Sequence, residues 1–504
     1  MRIAILNWRD SRHPEAGGAE LYCQQVAREL ASNGHAVVLV TSRPSGTAAQ
    51  ESVDGYRIIR RGGRFTVYPA VLWWLLWHRT RIDGVIDSQN GIPFFSPLVV
   101  RRQTAVVLLM HHVHQEQFAL YFPPVLAAFG RWLESSAARQ VYGRRSIAAV
   151  SPSTRAAVRT RLHLKGPIQL APCGLSPAAV ERSRSLNPRI VTVGRLVPHK
   201  QVRILVEAIS AVRRIVPTVE LHLIGDGSER PFLEAFAAAS GLSGHVVFHG
   251  RVSDEARDRL LASAWLTVNT TRGEGWGLSV LEANQHGVPA IAFRVDGMRD
   301  SVVDGMTGWL IDDPADLSSS ICSALAALTD STQRHRLETS TLAWSAGFTW
   351  DRTARQLMVI LNQESARLRR LEERRLKTSD LATVVEIPSS AVPEDWAPVL
   401  RSGDLLHSRP GGYQLLLLGI DQDDVPRVLD RIGVARHGRG KEMIKVAVAG
   451  HQDALLLVAG VSSPPPGGYI DLAFLVPTGD ARPHLHAVPS DIIPSPGEKG
   501  SRKS

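Results

Sequence analysis

Arg2-Ile3-Ala4-Ile5-Leu6 is a short apolar strand, and the polar loop after it closes on Gly17-Gly18. Beyond the glycines, Ala19, Cys23, Val26, Ala27 and Leu30 recur at helical spacing, Gly34 stops the helix, and Ala36 to Val40 forms a second apolar strand. Strand, glycine turn, helix and strand make a βαβ unit, which implies a parallel sheet. The same signal continues in Gly84 to Ile86, Ala105 to Met110 and Ile147 to Val150. A second set follows the polar stretch 181–189: Ile190 to Val193, Glu220 to Ile224, Val246 to Phe248, Leu266 to Val268 and Ala290 to Phe293. Two tandem parallel-sheet domains are therefore expected, with a ligand cleft at the carboxyl ends of their strands.

At 504 residues the chain is too long for one ordinary core, and 44% hydrophobic with 21% charged residues is a globular composition. Cys23, Cys173 and Cys322 are too few and too scattered for a disulfide framework, and they fit a reducing compartment. The longest strongly apolar stretch, Val67 to Trp77, is 11 residues. A bilayer span needs roughly 20. Met1 leads straight into a strand and a polar loop, which is not a secretory pattern, so a cytoplasmic protein is expected.

The net charge of +10 is unevenly spread. Residues 1–185 hold 22 Arg and one Lys against 11 acidic residues, a net of +12, and the remainder sums to −2. Basicity concentrated in one domain suits an anionic acceptor or an anionic membrane surface. Trp73, Trp74 and Trp77, followed by Arg79 and Arg81, form either an interfacial helix face or an ordinary cover for the sheet. That leaves peripheral association with the inner face of the cell membrane as an expectation. Arginine outnumbers lysine 51 to 7, as a genomic bias would produce, and no supporting motif accompanies the charge, so nucleic acid is not an expected partner.

The expected organisation is a first domain over 1–185, a second over 186–350 and a crossover and linker helix over 351–380. An appended α+β domain over 381–490 and a disordered tail over 491–504 complete it. The charge run Arg367 to Lys377 reads as a solvated connecting helix.

Two stretches carry chemistry. In Arg272-Gly273-Glu274-Gly275-Trp276-Gly277-Leu278-Ser279-Val280-Leu281-Glu282-Ala283 the glycines allow a tight bend and close ligand approach, and the apolar run after them starts a helix. Free amides at Leu278 and Ser279 would face a phosphate, and Glu274 and Glu282 would accept hydrogen bonds from hydroxyls at two depths of one cleft. Taken alone, the two glutamates also fit a helix-start acid and a solvated helix residue. In Val193-Gly194-Arg195-Leu196-Val197-Pro198-His199-Lys200 a planar guanidinium and a point charge follow a strand, placed for a diphosphate or, more blandly, as a surface pair.

With these motifs the chain resembles the family 4 retaining glycosyltransferases of GT-B fold over residues 1–365. The resemblance rests on Glu274-x7-Glu282 with its EGWG core, Gly194-Arg195-x4-Lys200, the turn Gly17 to Glu20, Ile224-Gly225-Asp226-Gly227 and Asp304-Gly305-x2-Gly308, all in family order. It implies an α/β fold of two Rossmann-like domains facing a cleft. Position by position, it also implies that Arg195 and Lys200 bind the donor diphosphate and that Glu274 contacts the transferred sugar. Glu282 would hold the ribose, Gly17 and Gly18 would offer amides to the distal phosphate, and Arg251 and Val252 would lie near the base. Gly194, Gly275 and Gly277, with Leu278 and Ser279, would also bind the donor. The family places a histidine after the strand Ala105 to Met110, facing the sugar. His111, His112 and His114 leave that register open, with His112 favoured over His111. A zinc site is the weaker reading, since adjacent residues on an extended stretch point apart and no fourth ligand is evident.

The activity implied is transfer of a hexose from a UDP- or GDP-sugar to a glycan, lipid or small-molecule acceptor, with no obligatory metal or cofactor. Alternatives are a GT-B epimerase or phosphorylase and a non-catalytic sugar-nucleotide sensor. Pro172-Cys173-Gly174 replaces the Asn-Gly turn common in the family, which leaves the turn feasible. Asp421-Gln422-Asp423 matches a D-x-D pattern but reads as a solvated turn. Residues 400–415 faintly resemble a degenerate diguanylate-cyclase domain, in which Tyr413 and Gln414 stand where a cyclase needs acids, so no cyclase activity is implied.

Overall fold

The computed structural model describes residues 1–178, 180–372, 381–392, 404–418, 420, 424–434, 444–450 and 470–471. The first sheet has eight strands: β1 (Arg2–Leu6), β2 (Ala36–Thr41), β3 (Gln50–Val53), β4 (Tyr56–Arg60), β5 (Gly84–Gln89), β6 (Ala105–Met110), β7 (Ile147–Ala149) and β8 (Ile168–Leu170). Their order is β3-β4-β2-β1-β5-β6-β7-β8. Every pairing is parallel except the β3–β4 hairpin. Both β5 and β6 are buried along their whole length, the signature of a parallel sheet covered on two faces.

The second sheet orders β9 (Arg189–Val193), β10 (Glu220–Ile224), β11 (Val246–Gly250), β12 (Leu266–Asn269), β13 (Ala290–Phe293) and β14 (Gly308–Ile311) as β11-β10-β9-β12-β13-β14, all parallel. Each sheet has its own hydrophobic core. The two lobes are the expected Rossmann-like pair. Three elements lie outside the strands expected from sequence: the β3–β4 hairpin, β8 and β14. The hairpin turns on Asp54-Gly55, both at positive φ, the backbone that a two-residue turn needs to match strand twist.

A helix spans Trp350–Glu372 where the crossover helix is expected, and residues 373–377 of the charge run lie outside the described residues. Trp350, Ala354, Leu357 and Leu361 follow helical spacing, and with Ile360 they join Ile3, Val26 and Leu109 in the first lobe's core. The chain thus crosses back and completes the domain in which it began. Further along, Glu364 is fully buried and accepts hydrogen bonds from Arg145 (3.1 Å), Ser146 (3.0 Å) and Arg367 (2.8 Å), so the start of the charge run is anchored. The two crossovers touch: a Cβ on Gly174 would come within 2.2 Å of the Trp350 nitrogen, which only glycine tolerates. Cys173 beside it is buried, and burial pushes its thiol far up, which removes it as a nucleophile.

The appended segment forms an antiparallel sheet, β15 (Leu381–Pro388), β16 (Leu405–Arg409), β17 (Gly412–Leu418), β18 (Lys445–Gly450) and β19 (Ile470–Asp471), ordered β16-β17-β15-β18-β19. Helix Val425–Arg431 packs on it through Val425, Val428 and Leu429. Asp421-Gln422-Asp423 and the tail 491–504 lie outside the described residues. No helix among the described residues is long and apolar enough to cross a membrane.

Candidate functional site

Two loops leave the second sheet side by side, after β9 and after β12. Gly225 (φ +129°) crosses the first loop so closely that a Cβ would meet Gly194 O at 2.0 Å, and one on Gly227 would meet Leu196 O at 2.2 Å. The two glycines therefore let the β10 loop brace the loop that holds Arg195 and Lys200. The β12 loop is tied to it through Arg272 N to His199 O (3.0 Å) and Thr270 Oγ1 to Lys200 O (2.9 Å). This pairing brings Lys200 and Glu274 into an ion pair. Arg195 has no carboxylate partner among the described residues.

Gly277 caps the helix Leu278–Asn284 in the left-handed region (φ +94°), and a Cβ there would strike Met298 Cε at 2.5 Å. Among the described residues, the amides of Leu278 and Ser279 donate to no backbone acceptor. Glu282 lies inside that helix, buried, with Arg257 Nη1 at 3.4 Å. Burial pushes its carboxyl up to about 7, against the opposing pull of the Arg257 guanidinium.

The first lobe meets this surface at the end of β6. The His111 ring turns inward: its Nε2 lies 2.9 Å from Ser88 Oγ, and Tyr22 packs edge-on at 5.1 Å. His112 turns the other way, its Cε1 3.8 Å from where a Cβ of Gly273 would stand. Burial, then the nearby His114, Arg161, His199 and Lys200, lower its imidazole to about 3, so it is neutral at physiological pH. Of the two histidines, the structure brings His112 to the crevice and packs His111 beneath it. The His114 ring turns to the His112 carbonyl (3.0 Å) and, at 3.6 Å, to Glu134, so the three rings do not converge on a shared ligand.

Two of the residues expected at the donor are engaged within the chain in this arrangement. The Gly17 amide is not open, because it donates to Glu20 Oε2 at 2.7 Å, and Glu20 is held in turn by Arg9 at 3.0 Å. Arg251 reaches across the cleft to the Pro14 carbonyl, while Val252 packs against the cluster of Val191, Ile224 and Leu261. Sequence reading also missed His199 and Tyr121, which span the lobes with 2.8 Å between hydroxyl and Nδ1, and Arg161, which meets Asp296 at 3.3 Å. His199 lies within the Gly194 to Lys200 run and was open to notice. Tyr121 and Arg161 carry no local signal, since only the docking of the lobes gives them partners.

Two family models match the two lobes in turn: Glycosyltransferase Family 4 over residues 16–179 and Glycosyl transferases group 1 over residues 187–327. The chain belongs to the family 4 glycosyltransferases. Among this family member's relatives is a GDP-mannose-dependent alpha-(1-6)-phosphatidylinositol monomannoside mannosyltransferase of Mycobacterium tuberculosis, 25% identical over 59% of this chain and 82% of that one. The Mycolicibacterium smegmatis protein of the same name is 35% identical over 25% of this chain and 35% of its own length. A D-inositol 3-phosphate glycosyltransferase of Salinispora tropica is 30% identical over 38% of this chain and 41% of its own. The match thus spans well under half of the last two relatives.

Solved structures agree on architecture. Sucrose-phosphate synthase from Thermosynechococcus elongatus superposes with a TM-score of 0.62 at 21% identity, covering 72% of this chain and 99% of that one. Anabaena HepE in complex with UDP and glucose gives 0.55 at 18%, with the same coverage. The fold of this family 4 member is GT-B.

Proposed function

We propose that the protein transfers a hexosyl group from a nucleoside diphosphate sugar to a glycan, lipid or small-molecule acceptor, with retention at the anomeric carbon. One observation carries the reading: the loops after β9 and β12 join Lys200 to Glu274, Arg195 stands on the same loop as Lys200, and neutral His112 of the first lobe approaches Gly273 beside Glu274. The bond from the anomeric carbon to the diphosphate oxygen breaks, and its electron pair leaves on that oxygen. Arg195 and Lys200 stabilise the charge that develops there, without a divalent ion. The acceptor hydroxyl attacks the same face, and its proton passes to the departing phosphate oxygen. Such a step needs positioning and charge stabilisation, not an enzyme nucleophile.

The Lys200–Glu274 pair is then the resting arrangement. Donor binding draws Lys200 to phosphate and frees Glu274 for sugar hydroxyls. Glu282 takes the ribose hydroxyls. GDP-mannose in the relatives' names and UDP in the neighbouring structures make both nucleotides the first to try. An epimerase, a phosphorylase or a sensor without turnover is not favoured, because none is named among these relatives.

Thermal-shift screening of UDP- and GDP-sugars tests donor binding, since a ligand at 100 times its Kd stabilises by about 2.7 kcal/mol. Radiolabelled donor then separates transfer from epimerisation or phosphorolysis. Donor turnover that survives Glu274→Ala unchanged would remove the catalytic assignment.

A further inference from the structure

The first lobe carries an apolar layer that the donor crevice does not use. Helix Val67–His78 and the helical run 124–142 cover the same face of the first sheet. Val71, Trp74 and Leu75 from one and Ala138 and Tyr142 from the other join Leu6, Val85 and Leu108 in a single core cluster. Their outer sides are not polar. Trp73 is 63% exposed, Trp77 69% and Val125 81%, and Leu126, Phe129 and Trp132 are each about half exposed. They pair within each helix: the Trp73 and Trp77 rings lie 5.8 Å apart, and Phe129 stacks on Trp132 at 5.8 Å. Single exposed apolar side chains need no explanation, but a grouped set on one layer marks an interaction surface.

Charge narrows the partner. Segments 61–102 and 117–145, which build this layer, hold ten arginines, no lysine and three carboxylates. None of the three carboxylates is free at the surface: Asp87 and Glu134 are buried, and Asp83 is paired with Arg2 at 2.6 Å. Arg79, Arg81, Arg101, Arg102 and Arg139 are exposed.

We infer that this layer seats the protein on an anionic lipid bilayer, the indoles and aliphatic side chains entering the headgroup zone and the arginines meeting lipid phosphates. A second copy on this face would set its exposed arginines against their own like. Nucleic acid would leave Val125 and Leu126 without an apolar partner. The layer also borders the crevice, because the helix Phe118–Tyr121 just before Pro124 carries the Tyr121 hydroxyl to His199 in the donor loop. A docked molecule would therefore present its cleft mouth to a lipid acceptor. The seating itself does not depend on the transferase reading, and its test shares no readout with it.

The test is sedimentation of the full chain with phosphatidylcholine vesicles containing about 30% phosphatidylglycerol, against phosphatidylcholine alone, at about 50 mM and about 500 mM salt. The expected result is at least about tenfold stronger partitioning to the anionic vesicles at low salt, and a large loss at high salt. Val125→Asp with Phe129→Asp, and separately Arg79→Gln with Arg81→Gln, should each lower it severalfold while leaving the melting temperature unchanged. Brominated lipid should quench tryptophan fluorescence in the unmodified protein. Absence of pelleting, pelleting indifferent to both variants, tighter binding to a DNA duplex than to vesicles, or a dimer dissolved by Val125→Asp with Phe129→Asp would overturn the inference.

Discussion

The carbonyl oxygen of His111, at the end of a first-lobe strand, lies against Gly275 of the second lobe so closely that a Cβ there would come within 1.9 Å of it. The strand that ends in the histidines and the loop that carries Glu274 are therefore in direct backbone contact, and the glycine between them is a condition of closure.

Gly275→Ala should force the lobes apart at that point and reduce transfer by at least about a hundredfold, the scale expected when reacting groups are displaced by about 1 Å. Gly273→Ala, whose added carbon would meet only His112 at 3.8 Å, should stay within a few-fold of the parent. Steady-state transfer rates on the two variants make the comparison, and equal effects would argue against the contact.

Arg195→Ala and Lys200→Ala should each lower kcat by about 10² to 10³, or roughly 2.7 to 4 kcal/mol, the usual cost of losing one preorganised charge-stabilising group. Arg195→Lys should recover little, because an ammonium cannot reproduce a bidentate fork. Single-turnover rates with saturating donor would show whether the loss is in chemistry.

Glu282 gives a pH signature. Its carboxyl is raised from 4.5 to about 7 in the fold, so the unfolded chain releases this proton first and folding stability falls as pH rises through that interval, levelling above 7. Donor affinity should run the opposite way, rising toward pH 7 as the carboxylate forms and accepts from ribose. Glu282→Gln should flatten both profiles, measured by thermal denaturation and by calorimetric nucleoside diphosphate binding.

His112, lowered to about 3, should contribute no ionisation to the rate between pH 5 and 8. His112→Ala should depress kcat without adding or removing an inflection in that range, whereas His111→Ala, which empties a core position beside Tyr22 and Ser88, should act mainly on stability. Rate profiles and melting curves on the same preparations separate the two.

Leu357→Ala should cost about 2 to 5 kcal/mol, because a fully buried leucine leaves a cavity in the first lobe's core. A shift in the denaturant midpoint of the full chain is the measurement. A shift near zero would mean that the crossover helix is not a core element.

The amino-acid sequence by itself determined the alternation of strands and helices and the chemistry at strand ends. Apolar periodicity and glycine are local signals, and the lysine and arginine of residues 194–200 stand beside a strand exit whatever the rest of the chain does. Ala105 to Met110 is a strand on those grounds alone. Tertiary structure decided everything that depends on partners far along the chain. It chose His112 over His111 for the crevice, because Ser88 and Tyr22 claim the other ring. It closed the Gly17 amide with Glu20, and it packed the first turns of the crossover helix into the first lobe's core. It also left Val125 and Phe129 in the open, since an apolar pattern says that a face seeks cover and only packing says whether the protein provides it.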